Sequence, residues 1–93
     1  MKAKRFESVW DAIEASPAEA ANLKLRSSLM QALRRHIETE GLNQTQAAKL
    51  FGVTQPRVSN LMRGKIELFG LDVLVNMLAA AGLQVTMKVK KAA

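Results

Sequence analysis

Residues Gln44 to Arg63 read QTQAAKLFGVTQPRVSNLMR, and the fold turns on them. Asn43-Gln44-Thr45-Gln46 is a helix-start signal, because an asparagine side chain can accept from a free backbone N–H of the first turn. The helix it starts runs to about Phe51. Gly52 then stops it, since a tight turn needs a residue that accepts positive φ. Thr54 caps a second helix, and Pro56 is tolerated there because first-turn N–H groups lack helical partners. Ala48 lies four residues before the glycine, small enough for two helices to cross closely, with Ala47 beside it. Leu50, Phe51 and Val53 face inward before and at the turn. Val58 and Leu61 do so six and nine residues after the glycine. This joint spacing is that of a helix-turn-helix over residues 44–63.

The rest of the chain builds outward from that pair. Ser16-Pro17-Ala18-Glu19 starts a long helix with a serine cap, a proline at the first position and a capping-box glutamate. Leu25, Leu29, Leu33 and Ile37 recur along it every four residues, with Met30 beside them, and Gly41 ends it. Leu71, Leu74, Val75 and Leu78 form the apolar stripe of a last helix that Gly82 stops. Gly70 precedes that helix without a capping side chain. Glu7 to Ala15 reads as a short helix, with Val9, Trp10 and Ile13 on one side.

The end of the chain switches period. Leu83, Val85, Met87 and Val89 alternate with Gln84, Thr86, Lys88 and Lys90, the period of a half-buried strand. A lone strand leaves its N–H and C=O groups unpaired, so pairing with a second subunit or another protein is expected. The expected fold is therefore mainly α, about five helices with a single C-terminal β-strand that pairs between subunits. It divides into an N-terminal segment (1–15), a helical domain (16–82) and a strand with a basic tail (83–93).

Charge narrows the function. The chain of 93 residues carries 14 Lys and Arg against 8 Asp and Glu, a net +6. The purest basic block is 42–66, with Lys49, Arg57, Arg63 and Lys65 and no acidic residue. That favours an anionic partner such as nucleic acid. No cysteine is present and His36 is the single histidine, so disulfides, thiolate zinc sites and histidine metal clusters are excluded. Aromatics are 4% with no tyrosine, which argues against a stacking platform for single strands. No nucleophile–base pair or glycine-rich phosphate loop is visible, so no enzyme, cofactor or small-molecule substrate is expected. No apolar run would span a membrane or serve as a secretion signal, so a cytoplasmic protein is expected.

The recognition helix presents polar residues outward. Gln55 can pair bidentately with adenine. Arg57 can take guanine the same way or hold a phosphate. Ser59 and Asn60, one turn on, suit base edges or phosphate. Pro56 either touches a thymine methyl or stiffens the helix start. Thr54 caps the helix and can reach phosphate. Arg63 and Lys65 can hold the backbone, contacts that position a protein without reading sequence.

Residues Leu42 to Lys65 resemble, without a gap, the helix-turn-helix of the lambdoid phage repressors and the Xre family. The chain over roughly residues 5–90 resembles more narrowly the short Xre-type antitoxins of the HigA kind. The run SPAEAANLKLRSSLM (16–30), Gln55-Pro56-Arg57-Val58-Ser59 and Gly82-Leu83-Gln84-Val85 carry that closer likeness. The resemblance implies that Gln55 reads a base and that Gln44 holds a phosphate and buttresses Gln55. It also implies repression of the chain's own operon and neutralisation of a RelE/HigB-type ribonuclease toxin. For such a partner the acidic Glu7, Asp11, Glu14 and Glu19 or the strand edge offer contact surfaces. A homodimer paired through Leu83, Val85, Met87 and Val89 would set two recognition helices on an inverted-repeat, double-stranded operator, roughly 34 Å apart. Two alternatives stand beside this: an Xre-type regulator without a toxin, and a protein-interaction module lacking DNA binding.

Overall fold

A computed structural model describes residues 17–91 of the chain; the short helix read at 7–15, with Trp10, and the Ser16 cap lie outside them. Four helices follow in order: α1 (Pro17–Glu40), α2 (Gln44–Phe51), α3 (Gln55–Met62) and α4 (Leu71–Ala80). A single 3₁₀ turn, Ile66–Leu68, joins α3 to α4. The α2–α3 pair packs on itself, α4 packs on α1 and α2, and the 3₁₀ turn rests on α1.

One core lies among the four helices. Met30, Leu33 and Ile37 of α1 meet Ala47, Ala48 and Phe51 of α2, Val58 and Leu61 of α3, Phe69, and Leu74, Met77 and Leu78 of α4. The apolar face expected of α1 needs one correction. Leu25 is largely exposed, and Met30 takes a core place. Strict four-residue spacing precesses by roughly 40° per step on a helix of 3.6 residues per turn. A stripe from Leu25 to Ile37 therefore winds away from the core, and burial follows Met30, Leu33 and Ile37 instead. Val75 on α4 is likewise partly exposed while Met77 is buried. His36 is half-buried at the core edge, its ring 6.4 Å from that of Phe51 and tilted by 52°.

All four helices close in the same way. At each end the residue after a glycine donates to the carbonyl five residues back, and the glycine itself donates to the next carbonyl. The pairs are Leu42 N to Ile37 O and Gly41 N to Glu38 O, Val53 N to Ala48 O and Gly52 N to Lys49 O, Lys65 N to Asn60 O and Gly64 N to Leu61 O, and Leu83 N to Leu78 O and Gly82 N to Ala79 O. These bonds satisfy helix-end carbonyls that would otherwise lack partners. The stops expected at Gly41, Gly52 and Gly82 all have this geometry.

The strand expected over 83–90 is not formed in the single chain. Residues 83–91 carry no regular structure. A strand is a hydrogen-bonded pair, and no second strand occurs among the described residues. Alternating burial survives only at the start, where Leu83 and Val85 pack partly on the core. Met87 is 75% and Val89 89% exposed, so neither fills the core of the single chain.

A helix-turn-helix face as candidate nucleic-acid interface

The site is built on the turn between α2 and α3. Asn43 caps α2: its Oδ1 accepts from Gln46 N at 2.8 Å, and Gln46 Oε1 accepts from Asn43 N at 2.9 Å. Gly52 follows α2 with φ +69°, and no atom comes within 4 Å of where a Cβ would stand. The glycine is there for its backbone angle alone. Val53 packs partly on the core, and Thr54 begins α3 with its hydroxyl accepting from Arg57 N at 3.3 Å. The sequence thus sets both helix starts and the turn between them.

Val58 and Leu61 bury one side of α3 completely. The opposite side carries the predicted residues. Thr54, Gln55 and Pro56 are exposed, Ser59 and Asn60 half-buried, and Arg63 exposed just past the helix. Lys65 is exposed before the 3₁₀ turn, and Gln44 is exposed at the first position of α2. Helix geometry brings Gln55, Pro56, Ser59 and Asn60 onto the outer half of α3. Gln44, Arg63 and Lys65 flank them in sequence at the two ends of the motif. Thr54, Pro56, Arg57, Asn60 and Leu68 line a shallow open notch of about 290 Å³ along the helix start.

Arg57 differs from its neighbours. It is half-buried, and one guanidinium nitrogen (Nη1) donates to the carbonyl oxygen of Leu68 at 3.2 Å. Its guanidinium carbon stands 5.4 Å from the centre of the Phe69 ring, within cation–π range. These partners lie 11 and 12 residues away, at the end of the 3₁₀ turn and just after it. No local spacing announces them. Arg26 makes a second unforeseen contact, its Nη1 donating to the carbonyl oxygen of Ile66 at 3.2 Å.

No buried side-chain nitrogen or oxygen among the described residues lacks a hydrogen-bond partner. Among the same residues no helix is long and apolar enough to cross a membrane.

Comparison with known proteins supports this geometry. A family model for a helix-turn-helix domain matches residues 12–90. A solved structure provisionally described as an XRE family transcriptional regulator is similar with a TM-score of 0.73 and 31% sequence identity. The similarity covers 80% of this chain and 83% of that one. No curated protein matches the chain.

Proposed function

Since this chain belongs to the helix-turn-helix domain family, as an Xre-type DNA-binding transcriptional regulator, we infer that it represses transcription by setting α3 into the major groove of a specific operator. The carrying observation is the two-sidedness of α3. Val58 and Leu61 fix one side in the core, while Gln55 and Pro56 stand exposed within a block, 42–66, that has no acidic residue. An uncharged, hydrogen-bonding surface bordered by cations suits base edges bordered by phosphates.

In this reading Gln55, Pro56, Ser59 and Asn60 meet base edges. Gln44, Thr54, Arg63 and Lys65 hold the sugar-phosphate backbone. The protein acts by binding in the cytoplasm, without an enzymatic step, a cofactor or a small-molecule substrate. Two copies bind an inverted repeat, joined by pairing of residues 83–90 across a twofold axis. The exposure of Met87 and Val89 on a segment without its own ladder supports this pairing. Resemblance to the HigA kind of antitoxin supports a further role, autoregulation of an operon that also encodes a ribonuclease toxin which this chain neutralises.

A mobility-shift titration on the chain's own upstream DNA, beside a scrambled duplex of equal length at two salt concentrations, tests the reading. Preference for the upstream duplex, with affinity falling steeply as salt rises, is the expected result. Equal weak binding to both duplexes would remove the operator and leave the interaction-module alternative.

A further inference from the structure

Arg57 lies among the residues that face DNA, yet its side chain is spent on its own protein. Successive residues of a helix are rotated by roughly 100°, so Arg57 sits roughly 70° from the core direction that bisects Val58 and Leu61, whereas Pro56 and Arg63 sit roughly 170° from it. From that flank its guanidinium bonds the Leu68 carbonyl at 3.2 Å and covers the Phe69 ring at 5.4 Å. The seat is firm. Phe69 is only 1% exposed, and the turn closes with Leu68 N on Lys65 O and Phe69 N on Ile66 O, both 3.1 Å.

The same turn is gripped from the other side. Arg26 of α1 donates to the Ile66 carbonyl at 3.2 Å while its Nε bonds Asn22 Oδ1 at 2.6 Å. Two guanidinium groups from two helices thus hold carbonyls two residues apart. The need for such a tie follows from the size of α3. It has eight residues and only Val58 and Leu61 fully inside. Met62 and the preceding Val53 pack only partly on the core, so few contacts oppose a roll of this short helix about its axis, and a roll would turn Gln55 and Asn60 away from the groove. A third anchor on the flank removes that freedom.

We propose that Arg57 is a positioning residue, which fixes the roll of the recognition helix by tying its first turn to the 66–69 turn and neither reads a base nor holds a phosphate. The proposal rests on the reading of α3 as the DNA-reading helix. Lysine cannot replace the planar fork that serves carbonyl and ring together, although it serves a phosphate well.

The test compares the unsubstituted protein with Arg57→Lys and Arg57→Ala. Each is titrated at a temperature where circular dichroism shows it fully folded. The probes are the upstream duplex, its single base-pair variants and a scrambled duplex. Both substitutions are expected to lower affinity for the upstream duplex roughly tenfold, the scale of losing a bond from a charged donor. The loss should be spread over all base-pair variants, with scrambled-duplex binding little changed and the salt slope of Arg57→Lys unaltered. The Arg57 side-chain N–H resonances of the unsubstituted protein should keep their positions when the duplex is added.

An Arg57→Lys protein that binds like the unsubstituted one would mean a phosphate contact or a purely structural role, and would overturn the proposal. So would a loss confined to one base pair, or Arg57 resonances that move on binding. Failure of the unsubstituted protein to distinguish its upstream duplex from the scrambled one is a separate result. It would bring down the DNA-reading assignment, and the positioning role with it.

Discussion

Asn43 and Gln46 cap each other: the side chain of each accepts from the backbone N–H of the other, at 2.8 and 2.9 Å. This reciprocal pair starts α2, and α2 carries the turn that aims α3. Removing it should therefore cost stability before it costs recognition. Asn43→Ala is expected to destabilise the fold by about 1 kcal/mol. For a domain of this size that lowers the midpoint of thermal unfolding by roughly 4–8 °C. The double variant with Gln46→Ala should lose less than the two single losses summed, because the two bonds form one box.

Gly52 offers a second test of the frame. Its φ of +69° is costly for any residue with a Cβ, yet a Cβ there meets no atom within 4 Å. Gly52→Ala should therefore cost the backbone term alone, about 1–2 kcal/mol in urea unfolding. Gly52→Asn should cost less, since asparagine visits this conformation more readily. A loss much above 2 kcal/mol would point to a clash that the geometry excludes.

Base reading and phosphate holding separate by salt. Gln55→Ala or Asn60→Ala should relax preference at particular base pairs, by about 1–3 kcal/mol each, and leave the salt slope alone. Arg63→Ala or Lys65→Ala should weaken binding to every duplex, and the slope of log affinity against log salt should fall by roughly 0.9 per lost contact. Titrations on single base-pair variants at three salt concentrations distinguish the two groups.

The end of the chain should divide functionally between Val85 and Met87. Leu83 and Val85 pack partly on the core, whereas Met87 and Val89 do not. Met87→Asp with Val89→Asp is thus expected to leave the unfolding midpoint within a few degrees while converting a dimer to a monomer by sedimentation equilibrium. A protein that remains dimeric with both substitutions would rule out pairing through this segment. Leu83→Asp should instead destabilise the domain itself.

Much of this molecule is legible in its sequence because the decisive signals are local. Asn43, Gly52, Thr54 and the inward residues Ala48, Val58 and Leu61 all act within a few residues of one another, and the fold uses each as its chemistry dictates. The less legible parts depend on distance. Leu25 reads as core because it continues a leucine repeat, but whether a helix residue is buried depends on what packs beside it. The alternation in 83–90 encodes a preference for one apolar side and says nothing of which strand completes it. Arg57 looks like any cation of a recognition helix until the chain folds Leu68 and Phe69 beneath it.

We propose that α3 and the ends of the motif form the surface that touches DNA. An amide chemical-shift titration of the folded chain with its upstream duplex tests this most directly. The large changes are expected at Gln44, Thr54, Gln55, Ser59, Asn60, Arg63 and Lys65. Changes that spare these residues and gather elsewhere on the chain would overturn that assignment.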